Sequence, residues 1–123
     1  MPWTVFFHDA FGVEFDHFAI EVQDEALANY KVLEVFGPRL GRPRVDTLNG
    51  SRYANMKELR FNAANGAWRI AFAFDPKRQA ILLCGGDKSG GSESRFYRRL
   101  IAKADERYGA YLADLRGERR RKS

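Results

Sequence analysis

The sequence predicts an α+β domain: one N-terminal strand, two helices, a three-stranded antiparallel meander and a long C-terminal helix. Three observations carry this expectation. Apolar residues alternate with polar or small ones through much of residues 56–85, with two turn signals between the runs. Apolar residues recur at helical spacing both before and after that block. The length of 123 residues, 45% hydrophobic and 14% aromatic, suits a single compact domain with a real core.

Residues 3–7 are aromatic and β-branched and suit a first strand. Asp9 then offers an N-cap for a helix presenting Phe11, Phe15 and Phe18. Val22, Ala26, Tyr30 and Leu33 repeat at helical spacing, and this second helix should stop near Gly37-Pro38, where glycine ends a helix and proline cannot continue it. Residues 39–51 hold Gly41, Pro43, Asp46, Asn49 and Gly50 without a sustained period and read as a loop. A strand is expected near residues 56–63, a tight primed turn at Asn65-Gly66, and its partner at 67–74. Asp75-Pro76-Lys77-Arg78 forms a second turn, and residues 79–85 supply the last and most apolar strand. After a Gly-Ser loop with Ser92 as a possible cap, Phe96, Leu100, Ala104, Tyr108, Tyr111 and Leu115 trace the stripe of a long helix. Residues 1–115 form the expected domain, and 116–123 a basic tail, frayed and solvated, with five cations in residues 116–122.

Charge is unevenly spread. Residues 1–35 carry seven acids and one lysine, net −6, whereas residues 36–123 carry 20 bases and nine acids, net +11. A basic body attracts phosphate polyanions, so nucleic acid or an acidic protein leads among partner classes. No run approaches the roughly 20 apolar residues of a membrane helix, and no basic segment followed by an apolar signal core opens the chain, so a cytoplasmic location is expected. Cys84 stands alone inside an apolar run and reads as a small core residue. No His, Cys, Asp and Glu grouping has metal spacing, so neither a metal nor another cofactor is expected.

Strand alternation places Leu59, Phe61, Trp68, Ile70, Phe72 and Phe74 on one face of the hairpin and Glu58, Arg60 and Arg69 on the other. Beyond Arg69 that second face reads Ala71 and Ala73, a small and unobstructed surface able to admit a ligand. A cross-strand Glu–Arg pair can also be a surface contact contributing only a few tenths of a kcal/mol. Residues 85–92, with Lys88, lie where a strand gives way to a helix and can receive an anion. They are not a nucleotide-triphosphate loop, because Asp87 and Leu82 stand where that motif requires glycine. Tyr97 offers an aromatic face for a base and a hydroxyl for proton transfer. Arg39, Arg42, Arg44 and Arg52 travel with the preceding loop, either as solvated residues or as contacts to a nucleic-acid backbone. Lys57 points by alternation to the hydrophobic side and is a peripheral phosphate contact at best.

The strings Gly41-Arg42-Pro43-x-Val45-Asp46-Thr47-Leu48-x-Gly50-Ser51-Arg52, Met56-Lys57-Glu58-Leu59-Arg60, Trp68-Arg69-Ile70, Phe72-Ala73-Phe74-Asp75-Pro76 and Gly85-Gly86-Asp87-Lys88 together resemble a HigB-like toxin. This is a branch of the RelE/ParE toxin superfamily of bacterial type II toxin–antitoxin modules, and the resemblance covers roughly residues 3–112. It implies a RelE-like fold with a curved sheet and a metal-independent, ribosome-dependent mRNA endoribonuclease site on the concave side, working by 2′-hydroxyl attack. The implied catalytic residues are Arg69, as the phosphate-binding arginine, then Arg60, Glu58, Lys88 and Tyr97. Lys57, Arg39, Arg42, Arg44 and Arg52 would touch RNA or the ribosome. The implied partners are the ribosome with its mRNA and a helix-turn-helix, HigA-like antitoxin that sets the oligomeric state. A ParE-like gyrase inhibitor and a noncatalytic, phage-derived nucleic-acid or protein-binding module are the alternatives.

Overall fold

The computed structural model describes residues 2–122, and side chains as far as residue 117. The element order is β1 (Thr4–Phe7), α1 (Asp9–Phe15), α2 (Ile20–Phe36), a 3-10 turn (Gly37–Arg39), β2 (Val45–Thr47), β3 (Met56–Ala63), β4 (Gly66–Phe74), β5 (Gln79–Asp87) and α3 (Glu93–Lys122). The expected α+β class and element sequence are therefore present. The sheet has five strands in the order β1-β5-β4-β3-β2, with β1 parallel to β5 and the rest antiparallel.

Four local expectations need correction. Residues 39–51 are not all loop: Val45, Asp46 and Thr47 pair with Leu59, Glu58 and Lys57 as an edge strand. Asp9 is the first residue of α1 rather than its cap; the cap is His8, whose Nδ1 accepts from the Ala10 N–H. Phe18 falls between the helices but still packs into the aromatic cluster, edge-on to Phe15 and tilted against Trp68. The hairpin turn is centred on Ala64-Asn65, both at positive φ, and Ala63 pairs with Gly66. Gly66 thus stands in the strand, where an added Cβ would fall 2.6 Å from Asp87 Oδ2 and that side chain would have to move.

Two cores flank the sheet. On one face, Phe11, Val22, Leu33, Leu59, Ile70 and Phe72 join α1 and α2 to the strands. On the other, Met56, Ala71, Ala73, Leu83, Leu100 and Tyr108 seat α3. The alanine surface expected to stand open is thus covered, with Ala71 and Ala73 wholly buried, because their small side chains let α3 lie close to β4. Ser92 caps that helix by accepting from the Arg95 N–H, and Gly37 ends α2 at φ 54°. The α3 backbone continues helical through the segment expected as a tail; the side chains of residues 118–123, and with them its solvation, lie outside the described residues. Cys84 is buried as expected, and desolvation pushes its thiol pKa up to about 12.

Candidate active site

The apolar seam of α3 covers only part of its face of the sheet. Where β3 and β4 approach the hairpin, the side chains pointing to that face become charged: Glu58 opposite Ala71, then Arg60 opposite Arg69. Gly86 sits opposite Arg69 on β5, and its missing Cβ makes room for the Phe96 ring, since an added Cβ would lie 3.2 Å from that ring. Docking Phe96 on Gly86 carries the next residue, Tyr97, over the charged pair.

Tyr97 links the pair. Its hydroxyl donates to Glu58 Oε1 at 2.7 Å and accepts from Arg69 Nε at 3.2 Å, while Arg69 Nε stands 3.4 Å from the same carboxylate oxygen. Arg69 Nη1 donates to the Trp68 carbonyl at 2.9 Å, which fixes the guanidinium plane. The Glu58 and Arg69 side chains are only 9% and 7% exposed, so this is a buried ion pair rather than a surface contact. Burial first, and then the hydrogen bond to Glu58, raise the Tyr97 pKa, so the phenol holds its proton at neutral pH.

Arg60 is more open. It lies 3.7 Å from Asp46 Oδ2, which also attracts Arg42 Nε at 3.7 Å. Two clefts meet on Arg60. One, of about 310 Å³, runs past Asp46, Asn49, Glu58 and Tyr97; the other, of about 410 Å³, runs past Arg42, Arg44, Asn62 and Arg69. A third cleft of about 430 Å³, between the end of β5 and α3, is bordered by Lys88, Arg95, Arg99 and Lys103. Among the described residues no group of three His, Cys, Asp or Glu side chains is placed to hold a metal ion.

The sequence-derived residues separate on this geometry. Glu58, Arg69 and Tyr97 form one hydrogen-bonded unit with Arg60 beside it. Lys88 adjoins them: its backbone N–H donates to Ala67 O, and its ammonium bonds Glu93 Oε1 at 2.9 Å. The Glu93 carboxyl is held below its ordinary range mainly by Lys88, and more weakly by Arg69 and Arg60. Arg42 and Arg44 line a cleft, although Arg44 also donates to Asn29 on α2. Arg39 and Arg52 border none of the three clefts, and the Arg52 backbone is tied to Asp105 on α3. Lys57 turns to the other face, with its ammonium 3.3 Å from Thr47 Oγ1. Asp46 and Glu93, the acidic partners of Arg60 and Lys88, are additions to the site; a charged residue inside Val45-Asp46-Thr47 is the one signal that would have shown Asp46.

The fold has a counterpart among solved structures, and the sequence has relatives among known proteins. A solved structure of E. coli toxin RelE, a double arginine-to-alanine mutant in the free state, superposes with a TM-score of 0.57 at 13% identity, covering 84% of this chain and 97% of that one. The architecture is therefore RelE-like. Residues 13–109 match the family model described as "Phage derived protein Gp49-like (DUF891)". Two curated proteins of Mycobacterium tuberculosis (strain ATCC 25618 / H37Rv) are similar in sequence. "Putative toxin HigB3" is 54% identical over 86 residues, 70% of this chain and 73% of that protein. "Putative toxin HigB2" is 44% identical over 106 residues, 83% of this chain but only 52% of that protein, so the chain spans about half its length. The chain belongs to the Gp49-like family and is a HigB-like toxin of the toxin–antitoxin class with a RelE-like fold.

Proposed function

We propose that this toxin is a metal-independent, ribosome-dependent mRNA endoribonuclease whose site is the Glu58–Tyr97–Arg69 unit together with Arg60 and Lys88. The observation that carries the reading is the convergence of a buried carboxylate, a protonated phenol and two arginines where two clefts meet. Those are the groups that internal phosphoryl transfer requires. Glu58 takes the proton of the 2′-hydroxyl, and the resulting oxygen attacks the adjacent phosphorus. Arg60 and Arg69 offset the charge that builds on the phosphoryl oxygens. Tyr97 protonates the departing 5′ oxygen and is reprotonated by Glu58 along their 2.7 Å hydrogen bond, which balances the proton count. Lys88, held by Glu93, adds positive charge at the rim. Arg42, Arg44 and the cationic cleft beside α3 supply backbone contacts to RNA or the ribosome. The partners in this reading are the ribosome, its message and a neutralising helix-turn-helix antitoxin.

Primer-extension mapping of mRNA in purified translating ribosomes tests it. The wild-type protein should produce discrete cuts, and Arg60→Ala should slow them by about 10²–10³-fold, the effect of one preorganised oxyanion donor. Intact mRNA beside gyrase-dependent DNA breaks would replace this reading with a ParE-like one.

A further inference from the structure

We propose that the outward face of α2 is the contact of a symmetric antiparallel dimer, with a second copy of this chain as its occupant. The inference is independent of the nuclease reading. A surface helix normally has one apolar stripe and one polar face, yet α2 is apolar on two sides. Val22, Ala26 and Leu33 are buried against the sheet, whereas Ile20, Leu27 and Val35 on the solvent side are 61%, 41% and 62% exposed.

The order of the outward residues identifies the occupant. At about 3.6 residues per turn they form two adjacent i, i+4 rows, Ile20–Asp24–Ala28 and Leu27–Lys31–Val35. A two-fold axis level with the midpoint of Leu27 and Ala28 sets Ile20 beside the second copy's Val35, Asp24 opposite its Lys31, and Leu27 against its Leu27. Apolar thus meets apolar and acid meets base, as an isologous contact demands. Asp24 and Lys31 have no ion-pair partner among the described residues, so both are available. Glu21 and the second copy's Glu34 lie at the same height on opposite rims, where water and salt screen them. Because α2 packs on the face of the sheet remote from α3, both copies keep the Arg60 and Arg69 region open. One helix pair is a small interface, so a weak dimer is expected.

Sedimentation velocity of the purified full chain, from micromolar to near-millimolar concentration, tests the proposal. The wild type should pass from monomer to dimer, and Leu27→Glu should remain monomeric throughout. Asp24→Lys and Lys31→Asp should each weaken association by about tenfold, since two repulsions replace two attractions. An equimolar mixture of those two variants should form a heterodimer, and the Asp24→Lys/Lys31→Asp double variant should dimerise as the wild type does. All these positions are exposed, and circular dichroism of each variant establishes that it is folded. A wild type that is monomeric at every concentration, a dimer indifferent to Leu27→Glu, or a mixture that behaves as its separate parts overturns the proposal.

Discussion

Arg69→Ala removes the cation from a carboxylate that water hardly reaches, and its first effect should be on stability. At 3.4 Å and an effective dielectric constant of about 20, the Glu58–Arg69 attraction is worth about 5 kcal/mol before desolvation is subtracted. Deleting one partner of such a pair typically costs about 3–5 kcal/mol, because the other charge stays buried. Tyr97 still donates to Glu58 in the variant, so a value near the lower end, about 3 kcal/mol, is expected. A loss of this size is a large share of the roughly 5–15 kcal/mol that holds a domain together. Removing both partners should be less damaging than the two single losses added, with a coupling of about 1–3 kcal/mol for Glu58→Gln combined with Arg69→Met. Urea unfolding of the wild type, Arg69→Ala, Glu58→Gln, Arg69→Met and the double variant, followed by circular dichroism, supplies both the single cost and the cycle. Additive losses, or an Arg69→Ala cost under about 1 kcal/mol, would show that the pair is solvated and that the buried unit is misread.

Further outcomes follow from neighbouring groups. Tyr97→Phe should cost about 1.5–3 kcal/mol in urea unfolding, the value of a hydrogen bond to a charged group, and should slow cleavage in the ribosomal assay beyond any loss of folded protein. Gly37→Ala should destabilise by about 2–4 kcal/mol, measured by the same unfolding, because the residue has φ 54° and an added Cβ would lie 2.3 Å from Trp3 Nε1. Burial and Arg107 hold the His8 pKa below 6.5, so the folded protein binds its proton less readily than the unfolded chain. That contribution is complete above pH 6.5 and is lost as pH falls through the folded value; His8→Asn, which keeps a capping acceptor, should flatten the slope between pH 7 and 5 in urea titrations. The Glu14 carboxyl is likewise lowered, chiefly by its hydrogen bonds from Arg107, so its contribution is complete above pH 4.5 and is lost below the folded value. Because Glu14 is over a third exposed, Glu14→Gln should change the acid-side stability loss by under about 1 kcal/mol.

Much of the architecture was legible because it rests on short-range rules. Period-two alternation located β3 and β4, and helical spacing located α2 and α3. β2 escaped because three residues are too few to show a period, and glycine and proline precede it; only its pairing with Leu59, Glu58 and Lys57 makes it a strand. The candidate site divides in the same way. Arg60 and Arg69 facing one another is a consequence of hairpin register, whereas Tyr97 reaching Glu58, 39 positions away, depends on Phe96 finding Gly86. Ala71 and Ala73 show where the inference from residue size divides. Small side chains on a strand leave room, but room can receive a ligand or a helix. The long apolar stripe Phe96, Leu100, Ala104 and Tyr108 had to be buried somewhere, and the alanine face is the surface on which a helix can approach closely enough to exclude water. Where that stripe gives way to Tyr97 and the strands present Glu58, Arg60 and Arg69, packing no longer fills the face, and the charged site begins.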